Sequence, residues 1–261
     1  MRTLLFFLIL FTLPARAAEE VDLELFLAVD VSQSMSFEEL EIQRQGYAAA
    51  LLSPSVMDAI RGGMLGVVAI TYVEWAGTGS HKVVVPWTRV ASLKDMTEVA
   101  EAITANFENP RRRTSISSIL LYGERAINSN AFTGLRRVID VSGDGPNNMG
   151  PPVTAARDRA VGLGLTINGL PLMTRDTASD IWGIPDLDIY YAECVVGGPG
   201  AFVLPVRSWE EFAPALRRKL VQEIAGHTPP GRTRMIPAQA YDCLIGEKIW
   251  QRNMQRGFLD P

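Results

Sequence analysis

Along residues 23 to 30, LELFLAVD, apolar side chains occupy nearly every position before the run closes on Asp30. A short segment that is apolar at both parities is expected to be a strand covered on both faces. Ser36-Phe37-Glu38-Glu39 then carries the S-x-x-E spacing of a capping box, and Phe37, Leu40, Tyr47 and Leu51 recur at helical spacing. A helix is predicted there, closed by Ser53-Pro54. LGVVAITYVEWAG, residues 65 to 77, is a β-branched run suited to a second buried strand. HKVVVPW, beyond the Gly77-Thr78-Gly79-Ser80 turn, reads as its hairpin partner, and Pro86 puts that partner at a sheet edge. Leu93, Met96, Val99, Ile103 and Phe107 mark a second helix, and Ile116, Ile119, Leu120, Gly123 and Ile127 a third, with the polar loop NPRRRTS between them.

The alternation continues. RRVIDVSGDGPNN supplies a strand and a loop, residues 152 to 163 a helix, LTINGLPL a strand, residues 187 to 195 a helix and AFVLPV a strand. Trp209, Phe212, Leu216, Leu220 and Ile224 stripe a last helix. Strands alternating with helices predict an α/β domain with a mostly parallel sheet covered on both faces. After Ala225-Gly226, Thr228-Pro229-Pro230-Gly231 breaks the pattern, and residues 227 to 261 show little periodicity. They are expected to be a tail on a domain spanning residues 18 to 226.

The first residues belong to a different category. Arg2, the ten-residue apolar stretch LLFFLILFTL and Ala15-Arg16-Ala17 have the order of an export signal, and the stretch is well short of the roughly 20 residues that span a bilayer. Cleavage is expected after residue 17, giving a periplasmic or secreted chain without a transmembrane segment. The formal charge of −4 becomes −6 once the two arginines of that signal are gone. With no basic stripe interleaved with aromatics, an acidic chain of this kind does not read as a nucleic-acid binder. Cys194 and Cys243 are the only cysteines. In an exported chain the pair reads first as a disulfide tethering the tail, with two separate buried thiols as the alternative.

Candidate chemistry collects where strands end. Ligands of open α/β sheets bind at the carboxyl ends of the strands, where successive connections leave in opposite directions. Asp30 and Asp144 both stand at such ends, Ser32 and Ser34 follow Asp30 at alternating positions, and Thr114 opens the third helix. These are oxygen ligands without nitrogen or sulfur, a set that suits a hard cation: Mg²⁺ foremost, with Mn²⁺ or Ca²⁺ possible. Taken alone, the DVSQS segment also fits a turn and a helix cap, and Asp144-Gly145 an ordinary turn.

Asp30-x-Ser32-x-Ser34 after an apolar strand, Thr114 in a mid-domain loop and Asp144-Gly145 after a later strand together resemble the metal-ion-dependent adhesion site (MIDAS) of von Willebrand factor A domains. The likeness runs over residues 21 to 226. More narrowly, GYAAAL, ITYVEW, VIDVSGDGPNN, INGLP and CVVGGPGAF are similar to an exported bacterial branch of that superfamily known only as a domain of unknown function. The resemblance implies a three-layer, doubly wound sheet of order 3-2-1-4-5-6 with one antiparallel edge strand. It implies direct metal contacts from Ser32, Ser34 and Thr114, with Asp30 and Asp144 close by or water-bridged. It further implies a protein partner whose acidic side chain completes the coordination shell. Arg111-Arg112-Arg113 depart from the small residues usual before the threonine, a charge that either attracts an anionic partner or weakens the cation.

Other chemistry has less behind it. A metal-dependent phosphohydrolase also uses an aspartate at the end of a first strand, but commonly with a second carboxylate two residues on, where this chain has Ser32. A structural domain with an unfilled site is the third reading. G-x-S-x-G is absent, and His81 and His227, the only histidines, are not placed to activate Ser32 or Ser34, so a serine hydrolase is not expected. The main reading is a non-enzymatic recognition module, with no catalytic residues assigned. Glu74 and Asp140, inside predicted strands, are acid or base candidates if buried and perturbed; the plainer expectation pairs them with arginine or puts them near strand ends. Trp182 is read as packing, with a partner contact as the alternative.

Overall fold

The period of two along a strand sends alternate side chains to opposite faces, and in β1 (Glu19–Asp30) both parities are apolar. Leu23, Leu25, Leu27 and Val29 enter one core, while Phe26 and Ala28 enter another on the opposite face. The molecule is therefore built in three layers around a central strand with no solvent-facing side. A computed structural model describes residues 18–105, 111–174, 181–226 and 240–257.

The first core is closed by α1 (Phe37–Leu51), α2 (Pro54–Arg61), α3 (Leu93–Thr104) and α7 (Trp209–Ala225). The second is closed by α4 (Ile116–Asn128), α5 (Val153–Gly162) and α6 (Leu187–Tyr190), which runs on as a π-helix over Tyr191–Val195. The sheet has the order β3-β2-β1-β4-β5, from β2 (Val68–Trp75), β3 (His81–Val90), β4 (Phe132–Gly143) and β5 (Thr166–Pro171). All neighbours are parallel except β2 and β3, whose hairpin places β3 antiparallel at the edge. The α/β reading and the antiparallel edge strand hold. The chain goes one way from β1 to β2 and the other way to β4, so the sheet reverses direction beside β1 and opens a crevice above its carboxyl end.

Local signals explain most boundaries. Ser36 and Glu39 form the reciprocal capping box, with Glu39 N donating to Ser36 Oγ (3.2 Å) and Ser36 N to Glu39 Oε2 (2.7 Å). Ser53-Pro54, read as a stop, is also a start: proline at the first position of α2 loses nothing, because the N–H it lacks has no partner within the helix. The expected sixth strand, AFVLPV, is not a regular one. Pro205 has no N–H to donate, and the segment joins β5 only through bridges at Val203 and Val206, with Leu204 N donating to Gly169 O (3.0 Å) and Val206 N to Pro171 O (3.0 Å). The sixth position is thus occupied, in parallel sense, by irregular backbone. The tail also departs from expectation, because Ile245–Gln255 form α8, which buries Ile249 and Asn253, one turn apart, against the domain. Phe107, His227 and residues 1–17 lie outside the described residues. Among the described residues no helix is long and apolar enough to cross a membrane.

Glu74 is paired with Arg44, Nε to Oε1 at 2.7 Å, both buried. Asp140 is paired instead with Lys219 of α7, whose ammonium lies 2.5 Å from Oδ1 and also donates to Glu223. These two acids are thus ion-paired, Glu74 to arginine as expected and Asp140 to lysine.

Candidate functional site

Three loops meet above the carboxyl ends of β1 and β4, and backbone hydrogen bonds stitch them together. Asp30 is buried beneath them. Its Oδ1 accepts from the backbone N–H of Ser32 (2.7 Å), a local turn that fixes the chain as it leaves the strand, and its carbonyl accepts from Gln43 Nε2 of α1 (2.9 Å). The Arg111–Ser115 loop runs alongside: Arg111 N donates to Val31 O (2.9 Å), Gln33 N to Arg111 O (2.6 Å) and Ser115 N to Ala76 O (2.9 Å). A third loop, Asp144 to Asn148, is tied to the second by a reciprocal pair in which Thr114 N donates to Asn148 Oδ1 (3.0 Å) and Asn148 N donates to Thr114 O (2.9 Å).

These ties bring the predicted side chains into one place. Ser32 Oγ and Ser34 Oγ are 2.7 Å apart and share a hydrogen bond, and Ser34 Oγ donates to Asp144 Oδ1 at 2.8 Å. Ser32, Ser34, Thr114 and Asp144 line a cavity of about 20 Å³, together with Arg113, Asn148 and Trp182 among others. That volume admits one water-sized guest. Asp30 does not line the cavity; it is buried and tied to it through the Ser32 backbone N–H, so four of the five residues meet at the cavity and the fifth supports one of them. Trp182 packs partly buried against the second core, as read, and also borders the cavity.

The electrostatics are those of a site short of positive charge. Burial pushes the Asp30 carboxyl well above the usual carboxylate range, and the negative charge of Asp144 pushes it further. Asp30 Oδ2 is buried without a hydrogen-bond partner, on the side of Gly143 and Tyr191. An orphaned carboxylate oxygen, a second carboxylate and three hydroxyls form a donor set that fits a hard divalent cation. Among the described residues no group of three or more His, Cys, Asp or Glu side chains is gathered for a metal.

Several supporting residues carried no readable signal in the sequence. Asn147 is buried and holds the third loop from three directions, its Oδ1 accepting from Ser117 N (3.0 Å), its N–H donating to Tyr190 Oη (3.1 Å) and its Nδ2 donating to Glu247 Oε1 (2.7 Å). Asn147-Asn148 fits a plain turn as well as this role; only the tertiary partners separate the two. Arg113 adopts a left-handed backbone (φ 69°) and lays its guanidinium over the Trp250 ring at 4.3 Å. Cys194 and Cys243 are joined in a disulfide (S–S 2.01 Å), as the pairing of the only two cysteines implied.

A family model described as "protein of unknown function (DUF1194)" matches residues 20–228. The chain belongs to that family. No curated protein matches it by sequence. Solved structures supply the architecture: the pilus adhesin SpaC from Lactobacillus rhamnosus GG (12% identity, TM-score 0.57, 81% of this chain and 32% of that one) is similar. So is a von Willebrand factor type A protein from Catenulispora acidiphila (17%, 0.55, 78% and 43%). A third is proximal thread matrix protein 1 from the mussel byssus with a zinc-occupied MIDAS motif (12%, 0.55, 81% and 50%). At such identities the likeness is one of fold, and this member of the DUF1194 family has a von Willebrand factor A-like fold. The chain spans half or less of the length of each of these solved chains.

Proposed function

We propose that the protein is an exported, non-enzymatic recognition module that binds a protein partner through a divalent cation, Mg²⁺ or a close substitute. Ser32, Ser34 and Thr114 would offer hydroxyl oxygens to the ion, and Asp30 and Asp144 would offset its charge directly or through water. When bound, such a cation supplies a hard electrophilic centre with room for one more oxygen anion, here a carboxylate of the partner. The observation that carries the reading is the convergence of Ser32, Ser34, Thr114 and Asp144 on one small cavity, with buried Asp30 held to Ser32 behind it. It is supported by the likeness in fold to a protein with a zinc-occupied MIDAS motif and to a pilus adhesin. Export rests on the amino-terminal signal pattern and is consistent with the disulfide.

Calorimetric titration of Mg²⁺ and Mn²⁺ into the mature chain should give saturable heat that Asp30→Ala abolishes. A pull-down from the native envelope should recover a partner with Mg²⁺ and lose it with chelator. Binding of partner that survives both chelator and Asp30→Ala sinks the proposal.

A further inference from the structure

The segment carrying α8 lies beyond the residues matched by the family model, yet it grips three of the walls of the candidate cation cavity without lining it. Glu247 Oε1 accepts from Asn147 Nδ2 (2.7 Å) in the loop that follows Asp144. Asn253 Nδ2 donates to Ile181 O (2.6 Å), the residue before Trp182. Trp250 stacks under the guanidinium of Arg113, the residue before Thr114. The first turn of α8 packs so closely on the Asn147 carbonyl that a Cβ at Gly246 would lie 2.1 Å from its oxygen. The Cys194–Cys243 disulfide anchors the start of the segment, and Ile249 seats its middle in the second core.

The geometry points to α8 as a brace that holds the Thr114 and Asp144 loops in register, with Glu247 as its chief positioning residue and cation affinity as the property it sets. This inference rests on the reading of the site as a cation site. Asn147 is the lever: its side chain ties the third loop to Ser117 at the start of α4 and to Glu247 on α8 at once. Releasing one of these bonds frees the loop that carries a carboxylate of the site, and loss of partners that orient metal ligands typically weakens affinity by about 10- to 100-fold.

The test is Mn²⁺ titration by calorimetry on the full mature chain, with thermal unfolding in chelator as the control for folding. Glu247→Ala, and Gly246→Ala as a wedge under the helix, should each weaken Mn²⁺ by about tenfold or more. Glu247→Gln keeps an acceptor for Asn147 Nδ2 and should bind like the wild type, an outcome that a general loss of packing would not give. If Gly246→Ala does not fold, Glu247→Ala and Glu247→Gln carry the comparison. Wild-type heat with unchanged affinity in Glu247→Ala and in the folded wedge variant overturns the brace alone. Absence of heat in the wild type overturns the cation site and the brace together.

Discussion

Ser34 donates a 2.8 Å hydrogen bond to Asp144, a residue 110 positions further along the chain. The bond joins the loop after β1 to the loop after β4, so a single hydroxyl both closes the crevice and stands in the cavity. Ser34→Ala should cost about 1 kcal/mol of stability in chelator. At cation concentrations near 100 times Kd, the wild type should gain about 2.7 kcal/mol, or about 5–10 °C in Tm for a domain of this size. The variant should lose most of that gain. Thermal melts with Mg²⁺ and with chelator measure both effects, and an equal Mg²⁺ shift in the two proteins removes Ser34 from the site.

Gly143 is required for reasons of space. A Cβ there would lie 2.9 Å from both Asp30 Oδ2 and Tyr191 Oη. Gly143→Ala should displace the Asp30 carboxylate, destabilise the fold by about 1–3 kcal/mol through overpacking, and weaken cation binding in calorimetry. Retained affinity would mean that the position of Asp30 Oδ2 does not matter to the ion.

The buried cluster of Asp140, Lys219 and Glu223 holds two carboxyls against one ammonium. Burial, reinforced by the charge of Asp140, pushes the Glu223 carboxyl up to about 7, although Lys219 and Asn168 pull the other way. A folded state that binds this proton more tightly than the unfolded chain loses stability as pH rises from the ordinary 4.5 through about 7. The loss should be on the order of 3 kcal/mol. Glu223→Gln should flatten that slope while leaving the Lys219–Asp140 pair in place. Denaturant unfolding at pH 5 and pH 8 measures it, and parallel slopes in the two proteins would assign the pH dependence elsewhere.

Arg44 and Glu74 form an ion pair with almost no exposure. Removing the carboxylate takes from buried Arg44 its 2.7 Å ion-pair partner, so Glu74→Ala should destabilise by about 3–5 kcal/mol, whereas the apolar double replacement Arg44→Met with Glu74→Leu should recover much of the loss. Urea denaturation of the set decides this, and a double variant as unstable as the single one refutes it.

Much of this was legible in the chain because the signals were local or strongly periodic. The capping box at Ser36 and Glu39, the apolar run into Asp30 and the hairpin about Gly79 each needed only a few neighbouring residues. Asp30, Ser32, Ser34, Thr114 and Asp144 could be picked out as candidates because the ends of parallel strands are where an α/β sheet puts its ligands. Asn147, Gln43 and Glu247 were not, since an amide or a carboxylate in a polar stretch looks the same whether it braces a loop or meets water. α8 escaped because its apolar positions are few, and its place depends on a disulfide and on contacts made with residues far back in the sequence. AFVLPV misled because its composition suits a strand while Pro205 removes one of the donors that a ladder requires.

That interrupted segment has a consequence for how the molecule meets others. On one flank β5 is covered by backbone that offers no regular row of donors and acceptors; on the other, β3 carries Pro86, a shift in register against β2, and exposed Arg89. Both flanks resist extension by a foreign strand. Stacking into fibrils through the sheet is thereby disfavoured.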